Sequence, residues 1–210
     1  MILHGYWRSS AAYRVRIALA LKGLAYEQVN HDLRTGAQSA PDYAALNPQH
    51  LVPALDVDGL ILTQSLAIIE WLDERHPTPA LLPPDPDGRA IVRAMATTIG
   101  ADIHPLHNLR VLKRLRSDFA ADEAAVSAWI AEWMTAGFAA LEPKITRHSR
   151  GYAYGDTPTI ADCFLVPQLY AAARFGVDTT RYPALSAAGA KAAALPPFAE
   201  AHPYAQPDAD

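Results

Sequence analysis

Cysteine is nearly absent from this chain of 210 residues, which holds only Cys163. A single cysteine excludes an intrachain disulfide framework and is typical of proteins in a reducing compartment. The chain also lacks an apolar run of membrane-spanning length, and residues 1–8 lack the basic start and long apolar core of a signal peptide. We therefore expect a cytoplasmic protein without a membrane segment.

Positive charge is not in excess either. The net charge at pH 7 is −4, which argues against a nucleic-acid partner. With 50% hydrophobic and 19% charged residues, the composition excludes a disordered chain. The length suffices for one large domain or two small ones with a sizeable core.

Metal-ligand clusters are scarce as well. His104 and His107 have a spacing that shares one helix face, and Asp102 lies nearby. No third strong ligand is evident, and Pro105 would distort the turn, so we expect no metal site.

What the chain does have is a distinctive start. An apolar run over residues 1–6 predicts a strand, and Ser9 and Ser10 then open a helical pattern that stops at Gly23. The helix is apolar nearly all round apart from two arginines, so we expect it to be largely buried. Free N–H groups and the helix dipole at its start would stabilise an anion there, a thiolate included. A plain helix cap is the competing interpretation of the two serines.

The remainder of the first 76 residues predicts a small α/β unit. Residues 24–33 favour a strand parallel to the first, and residues 42–46 a short helix. The pair Asp58-Gly59 between two apolar runs predicts a type I′ hairpin. Ser65 is expected to cap a helix that ends near residue 76, which completes the order β-α-β-α-β-β-α.

Only helices are predicted after that unit. Five prolines in residues 77–88 predict a linker that excludes a helix. Residues 89–119 predict one long helix kinked near Pro105. Three more helices and an irregular tail are expected beyond it, over residues 122–147, 159–175 (with a capping box formed by Thr159 and Asp162), 183–194 and 203–210.

Several motifs in this order resemble one family. They are residues 9–19 (SSAAYRVRIAL), 47–55 (NPQHLVPAL), 64–70 (QSLAIIE), 103–112 (IHPLHNLRVL) and 159–163 (TIADC). Together they resemble the zeta class of the cytosolic glutathione transferases, which includes maleylacetoacetate and maleylpyruvate isomerases. The resemblance implies a thioredoxin-like α/β domain over residues 1–80 and an all-α domain over residues 88–210.

One departure from the zeta signature is chemically important. The family usually reads Ser-Ser-Cys-x-Trp-Arg, whereas here the Cys position is Ala11 and the Trp position is Tyr13. A protein thiol therefore cannot contribute at that point, and any thiol chemistry must come from bound glutathione. The maleylpyruvate isomerases of this family also lack that cysteine.

The resemblance assigns roles to individual residues. Glutathione as cofactor is expected to contact Ser9, Ser10, Ala11, Gln38, His50, Val52, Pro53, Gln64, Ser65, His104, Asn108 and Arg110. The serines are expected to face the glutathione sulfur. The side chains expected to act in catalysis on a dicarboxylate substrate are Ser9, Ser10, Arg8, Arg110 and Arg174, because arginine suits bidentate carboxylate capture.

The activity implied is a glutathione-dependent cis–trans isomerisation. Thiolate addition turns the cis double bond of maleylpyruvate or maleylacetoacetate into a single bond, which rotates before elimination gives the fumaryl isomer. A transferase or dehalogenase of small α-haloacids and a non-catalytic glutathione-binding protein remain alternatives. The family usually forms homodimers, so a homodimer is expected here.

Overall fold

A computed structural model of the chain describes all 210 residues. They divide into two compact units, residues 1–81 with 193–210 and residues 82–192. The predicted helical domain extends to residue 210, whereas the structure groups residues 193–210 with the N-terminal unit. The hydroxyl of Tyr13 donates to the carbonyl of Phe198 at 3.2 Å, which is one of the bonds that tie this segment to the first helix.

The N-terminal unit is a mixed four-stranded sheet with helices. Its main elements are β1 (Ile2–Gly5), α1 (Ser10–Leu21), β2 (Glu27–Asn30), α2 (Pro41–Leu46), β3 (Ala54–Val57), β4 (Leu60–Thr63), α3 (Ser65–Arg75) and, from the C-terminal segment, α9 (Pro196–Glu200). The strand order is β2-β1-β3-β4. Strand β1 is parallel to β2, and β3 is antiparallel to β1 and β4. The predicted thioredoxin-like order β-α-β-α-β-β-α is confirmed.

The predicted hairpin between β3 and β4 is also confirmed. Asp58 and Gly59 have φ values of 53° and 92°. Positive φ at both central positions is what a type I′ turn requires. The side chain of Asp56 supports the turn by accepting a hydrogen bond from the Gly59 N–H at 2.8 Å.

Helix α1 is buried along most of its length, as its apolar sequence predicts. The exposed fractions of Arg14 and Arg16 are only 2% and 1%, so the two charged residues are buried with it. At its end, Gly23 takes a left-handed φ of 63°, which suits a helix stop. The ammonium of Lys22 forms a buried ion pair with Asp73 of α3 at 2.6 Å, which fixes α1 against α3.

The start of α3 differs from the prediction. Ser65 is expected to be the N-cap, but it is the first helical residue, and the N-cap is Gln64 with a left-handed φ of 68°. The Ser65 hydroxyl instead accepts a hydrogen bond from the Arg14 guanidinium at 3.2 Å. The partner on α1 therefore draws the serine inward, and no side chain caps α3.

The second unit is helical. Its helices are α4 (Pro86–Thr97), α5 (Leu109–Phe119), α6 (Glu123–His148), α7 (Ile160–Arg174) and α8 (Pro183–Ala193). The capping box at α7 is confirmed: Asp162 accepts from the backbone N–H of Thr159 at 2.8 Å and from its hydroxyl at 2.9 Å.

Two predictions before α5 are wrong. Helix α4 starts inside the proline-rich stretch, because Pro86 occupies the first helical position, where its missing N–H costs nothing, and Asp85 caps it. The single kinked helix over residues 89–119 is in fact α4, a π-helical turn (Thr98–Ile103), a 3₁₀ turn (His104–His107) and α5. Pro105 and the new cap at Asn108 break the helix rather than bend it.

The sequence predicts no apolar run of membrane-spanning length, but helix α6 is long and apolar enough to cross a membrane when judged by length and composition only. Core helices of soluble proteins meet the same criterion. Its buried residues follow helical spacing and include Ile130, Met134 and Phe138. Gly137 lies on this face and contacts Ile103, whose side chain leaves no room for a Cβ. One face of the helix therefore packs in the core of the second unit.

Candidate functional site

The start of α1 combines a serine cap with unpaired backbone donors. The Ser9 hydroxyl accepts from the Ala12 N–H at 3.2 Å, which confirms the predicted cap and leaves its own proton available for donation. Ser10, the first helical residue, is 6% exposed. No acidic residue lies in the first turn, so no first-turn carboxylate offsets the positive end of the helix.

A tight turn presents these serines. The Ser9 N–H donates to the Tyr6 carbonyl at 3.0 Å. Trp7 within the turn is buried, and the half-buried Arg8 places its guanidinium 5.4 Å from the Trp7 ring centroid. The turn that leads to the serines therefore carries a cation, which lies against the Trp7 ring.

The segment before β3 lies beside this turn. Trp7 and Val52 belong to one buried cluster with Tyr6, Tyr43 and Ala54. The peptide bond between Val52 and Pro53 is cis. The structure therefore brings the predicted Val52-Pro53 pair close to the residues that precede Ser9.

Two side chains that the sequence analysis did not assign to the site hold this segment. The Tyr43 hydroxyl and the Asn47 amide donate to the Leu51 carbonyl at 2.6 and 2.7 Å. Burial raises the pKa of Tyr43 to about 12, so its hydroxyl remains a donor at neutral pH. Asn47 belongs to the motif of residues 47–55 that resembles the family, but an Asn-Pro pair also fits a simple helix stop.

The start of α3 is a second anion-favouring helix end. Gln64, whose backbone φ is positive, donates its amide to Gln49 at 3.0 Å. Such a backbone conformation in a residue other than glycine is uncommon and is concentrated at functional sites. Arg14 lies behind Ser65, and although burial lowers its pKa to about 9, the guanidinium stays protonated at pH 7. Its charge adds to that of the helix end, which has no acidic residue in its first turn.

Gln38 and His50 lie on the connections around α2. Gln38 is half-buried in a 3₁₀ turn (Ala37–Ser39), and its side-chain oxygen is buried without a hydrogen-bond partner. His50 is exposed with φ of 56°, and its N–H donates to the Asn47 carbonyl at 2.9 Å.

The remaining predicted site residues belong to the second unit. Asn108 caps α5 by accepting from the Arg110 N–H at 3.2 Å, and Arg110 itself is exposed. Arg174 is exposed at the end of α7, with its guanidinium 4.4 Å from the Phe175 ring centroid. His104 is half-buried.

The histidine pair of the second unit is not arranged as a metal site. The ring centroids of His104 and His107 are 5.2 Å apart, and His107 lies within 3.4 Å of the Gln168 side chain. The structure holds no group of three or more histidine, cysteine or acidic residues that could bind a metal ion.

Comparison with known proteins assigns the fold. Residues 1–74 match the family model of the glutathione S-transferase N-terminal domain. The chain is 52% identical to a maleylpyruvate isomerase from Ralstonia sp, and the match covers 99% of each protein. It is also 52% identical to a maleylacetoacetate isomerase from Pseudomonas aeruginosa, covering 98% of that protein.

Solved structures agree. A holo structure of maleylpyruvate isomerase, described as a bacterial zeta-class glutathione S-transferase, superposes with a TM-score of 0.98 at 50% identity over the full length of both chains. This chain belongs to the zeta-class glutathione S-transferases. A maleylacetoacetate isomerase from Methylobacterium extorquens AM1, solved with malonate and GSH bound, covers both chains fully with a TM-score of 0.95 at 39% identity. The thioredoxin-like α/β plus all-α fold expected from the zeta-class resemblance is confirmed.

Proposed function

We propose that this zeta-class protein isomerises maleylpyruvate or maleylacetoacetate to the fumaryl form with glutathione as cofactor. The observation that carries the proposal is the pair of helix starts, α1 and α3, which both lack acidic residues and carry serines. A ligand with both a thiolate and a carboxylate suits two such ends. The close relatives named as isomerases support the same choice.

The residues of the N-terminal unit fit glutathione. Its γ-glutamyl carboxylate would be held at the start of α3 by Gln64 and Ser65, with Arg14 as the buried positive charge behind them. Val52, before cis Pro53, would pair its backbone with the cysteinyl unit in the manner of an added strand. The unpartnered oxygen of Gln38 would accept from a ligand N–H.

The glycine end of glutathione would extend toward the exposed His50. His104, Asn108 and Arg110 of the second unit would add contacts, as the resemblance implies. In this proposal the N-terminal domain, over residues 1–80, holds the cofactor, and the helical domain contributes mainly to substrate binding.

Bound glutathione supplies a thiolate nucleophile that makes rotation about the cis double bond of the substrate possible. The task of Ser9, Ser10 and the backbone N–H of Ala11 is to favour the thiolate over the thiol. A free thiol has a pKa of about 8.5, and lowering it by about two units takes roughly 2.7 kcal/mol. A hydroxyl donor together with a helix N-terminus provides stabilisation of that order.

The substrate carries two carboxylates, and the negative charge on it grows during the reaction. Arg8, beside the serines, and Arg110 and Arg174 of the second unit would hold those carboxylates and stabilise the developing charge. Malonate in the M. extorquens relative is a dicarboxylate of this kind. We further propose a homodimer in the cytoplasm, which light scattering and cell fractionation would test.

The decisive experiment mixes enzymatically generated maleylpyruvate with the protein and substoichiometric glutathione, and follows the absorbance change. We expect many turnovers per glutathione, with no loss of free thiol. A Ser9→Ala/Ser10→Ala double variant serves as the control and should be nearly inactive. Maleylacetoacetate in parallel would show which diacid is preferred.

Two results would overturn the proposal. Thiol consumption in proportion to turnover with α-haloacids, and none with the maleyl diacids, would indicate a transferase or dehalogenase. No glutathione affinity at millimolar concentration would indicate a non-catalytic protein.

A further inference from the structure

The C-terminal strap, which we define as residues 196–210, holds the turn that carries the serines. The side chain of Asp208 accepts a hydrogen bond from the backbone N–H of Trp7 at 3.0 Å, across 201 residues of sequence. Its other oxygen accepts from the Gln28 amide at 3.2 Å. Trp7 immediately precedes Arg8 and Ser9, so the contact with Asp208 lies in the turn that carries the serines.

A second charged side chain, Arg16, holds the same turn as a hydrogen-bond donor. The Arg16 guanidinium donates to the Trp7 carbonyl at 2.9 Å and to the Ala201 carbonyl at 3.0 Å. One peptide unit on each side of Trp7 is thus fixed by a charged side chain: an acceptor from the strap and a donor from α1. Arg16 also joins the turn to the strap.

The strap is itself anchored to the N-terminal unit. It contacts α1 through the bond from Arg16 to the Ala201 carbonyl at 3.0 Å. Within the strap, the amide of Gln206, 9% exposed, donates to the carbonyls of Glu200 and His202, both at 3.0 Å. Ala209 packs against the buried cluster that contains Trp7 and Val52. These contacts place Asp208 on a supported backbone rather than on a loose end.

We propose that Asp208 is a positioning residue, which fixes the Trp7 peptide and so aims Ser9 and Ser10 at the glutathione sulfur. This inference rests on the proposed function. An acceptor that carries a full charge binds a backbone N–H more strongly than a neutral one, and it holds the peptide in one orientation. The turn that carries the serines thus depends on both ends of the chain. Its serine donors follow β1, and the strap supports it.

The test compares Asp208→Ala and Asp208→Asn with the unsubstituted protein. Asp208→Ala removes the acceptor, so we expect turnover to fall roughly tenfold with little change in the glutathione KM, because a misaimed donor group lowers rate more than binding. The pH midpoint of the bound thiol should rise. Asp208→Asn keeps an oxygen acceptor and should recover most of the loss.

Hydrogen exchange provides a readout that does not depend on activity. The Trp7 amide in Asp208→Ala should exchange faster, while amides of α7 should be unchanged. Asp210→Asn is the matched control, since Asp210 pairs with Arg34 on the surface and its loss removes the same charge two residues away. It should leave both exchange and turnover near those of the unsubstituted protein.

Three outcomes contradict the inference. The first is Asp208→Ala with unchanged Trp7 exchange and thiol midpoint. The second is equal losses in Asp208→Ala and Asp210→Asn. The third is Asp208→Asn as impaired as Asp208→Ala. If the unsubstituted protein binds glutathione without isomerising either diacid, the proposed function fails, whereas Trp7 exchange and the thiol midpoint still decide the role of Asp208.

Discussion

Three helix starts of the helical unit differ from the starts of α1 and α3 in the N-terminal unit. In the helical unit, α7 begins with Thr159 and buries the carboxylate of Asp162 in its first turn, and α4 and α6 have an aspartate cap. In the N-terminal unit, α1 and α3 have no acid in the first turn, although α2 has Asp42 there. Helices α5 and α8 of the helical unit also lack a first-turn acid, so the contrast concerns individual helices and not whole units. An acidic residue in the first turn offsets the positive end of its own helix, whereas an acid-free start leaves that end available to an external anion. We infer that the acid-free starts of α1 and α3, which carry predicted glutathione contacts, are helix ends that bind, whereas the aspartates at α4, α6 and α7 stabilise the fold.

The largest expected effect comes from giving α1 the acid that α7 has. Ala11→Asp places a carboxylate in the first turn beside Ser9 and Ser10. At about 5 Å and an effective dielectric constant of about 20, two negative charges repel by roughly 3 kcal/mol, so kcat/KM for the diacid should fall more than a hundredfold. Ala11→Asn is the matched uncharged control, and equal losses in both variants would show that charge is not the cause.

The arginines of the helical unit should affect the substrate rather than the cofactor. Arg110→Ala should lower kcat/KM for the diacid by about thirtyfold, corresponding to the loss of a charged hydrogen-bonding partner. Glutathione affinity, measured by calorimetry, should change less than twofold. Lys113→Ala, exposed on the same helix, is the control. Equal losses in turnover and in glutathione binding would refute this role.

The two caps should respond differently to the same truncation. Ser9→Ala should lower kcat about tenfold and cost roughly 1 kcal/mol of unfolding free energy, because it removes both a thiolate donor and a helix cap. Thr159→Ala should cost about as much stability and leave kcat within twofold. Urea denaturation and steady-state kinetics distinguish them. A Ser9→Ala variant with full activity would leave Ser10 as the activating group.

The smallest expected effect is a pH dependence from Asp162. Burial raises its pKa to about 6, against the hydrogen bonds from Ala153 and Thr159 that lower it. Its pKa in the unfolded chain is lower, so the folded protein binds the extra proton between the two values and loses stability as pH rises. The contribution of Asp162 to the free energy of unfolding should fall by about 1 kcal/mol between pH 5 and 7.

Denaturation of the unsubstituted protein and of Asp162→Asn at pH 5 and pH 7 isolates this contribution. The stability difference between them should shrink at the higher pH. A difference that is constant, or that grows, would show that Asp162 is ionised throughout this range in the folded protein.

Local sequence was sufficient where a local rule decides the structure. The Ser9 cap, the Asp58-Gly59 hairpin and the capping box of α7 each depend on residues within a few positions of each other, and each is confirmed. The order of strands and helices in the N-terminal unit follows from the same periodicities.

Features that depend on distant contacts could not be predicted in this way. Ser65 looks like a cap until Arg14, 51 residues earlier, takes its hydroxyl. Pro105 indicates an irregularity in the helix but does not distinguish a kink from a break. At the break, Ile103 packs on Gly137 of α6, a contact between residues far apart in the sequence. The sequence of the tail predicts an irregular segment, and only the fold shows that Asp208 accepts a hydrogen bond from the Trp7 N–H.

The measurement that tests the central claim most directly is a pH titration of the glutathione thiol bound to the protein, followed by the ultraviolet absorbance of the thiolate. If the acid-free start of α1 stabilises the anion, the midpoint should lie about two units below the value of about 8.5 for a free thiol, and it should rise in Ser9→Ala and further in Ala11→Asp. A midpoint near 8.5 at saturating protein would contradict the account.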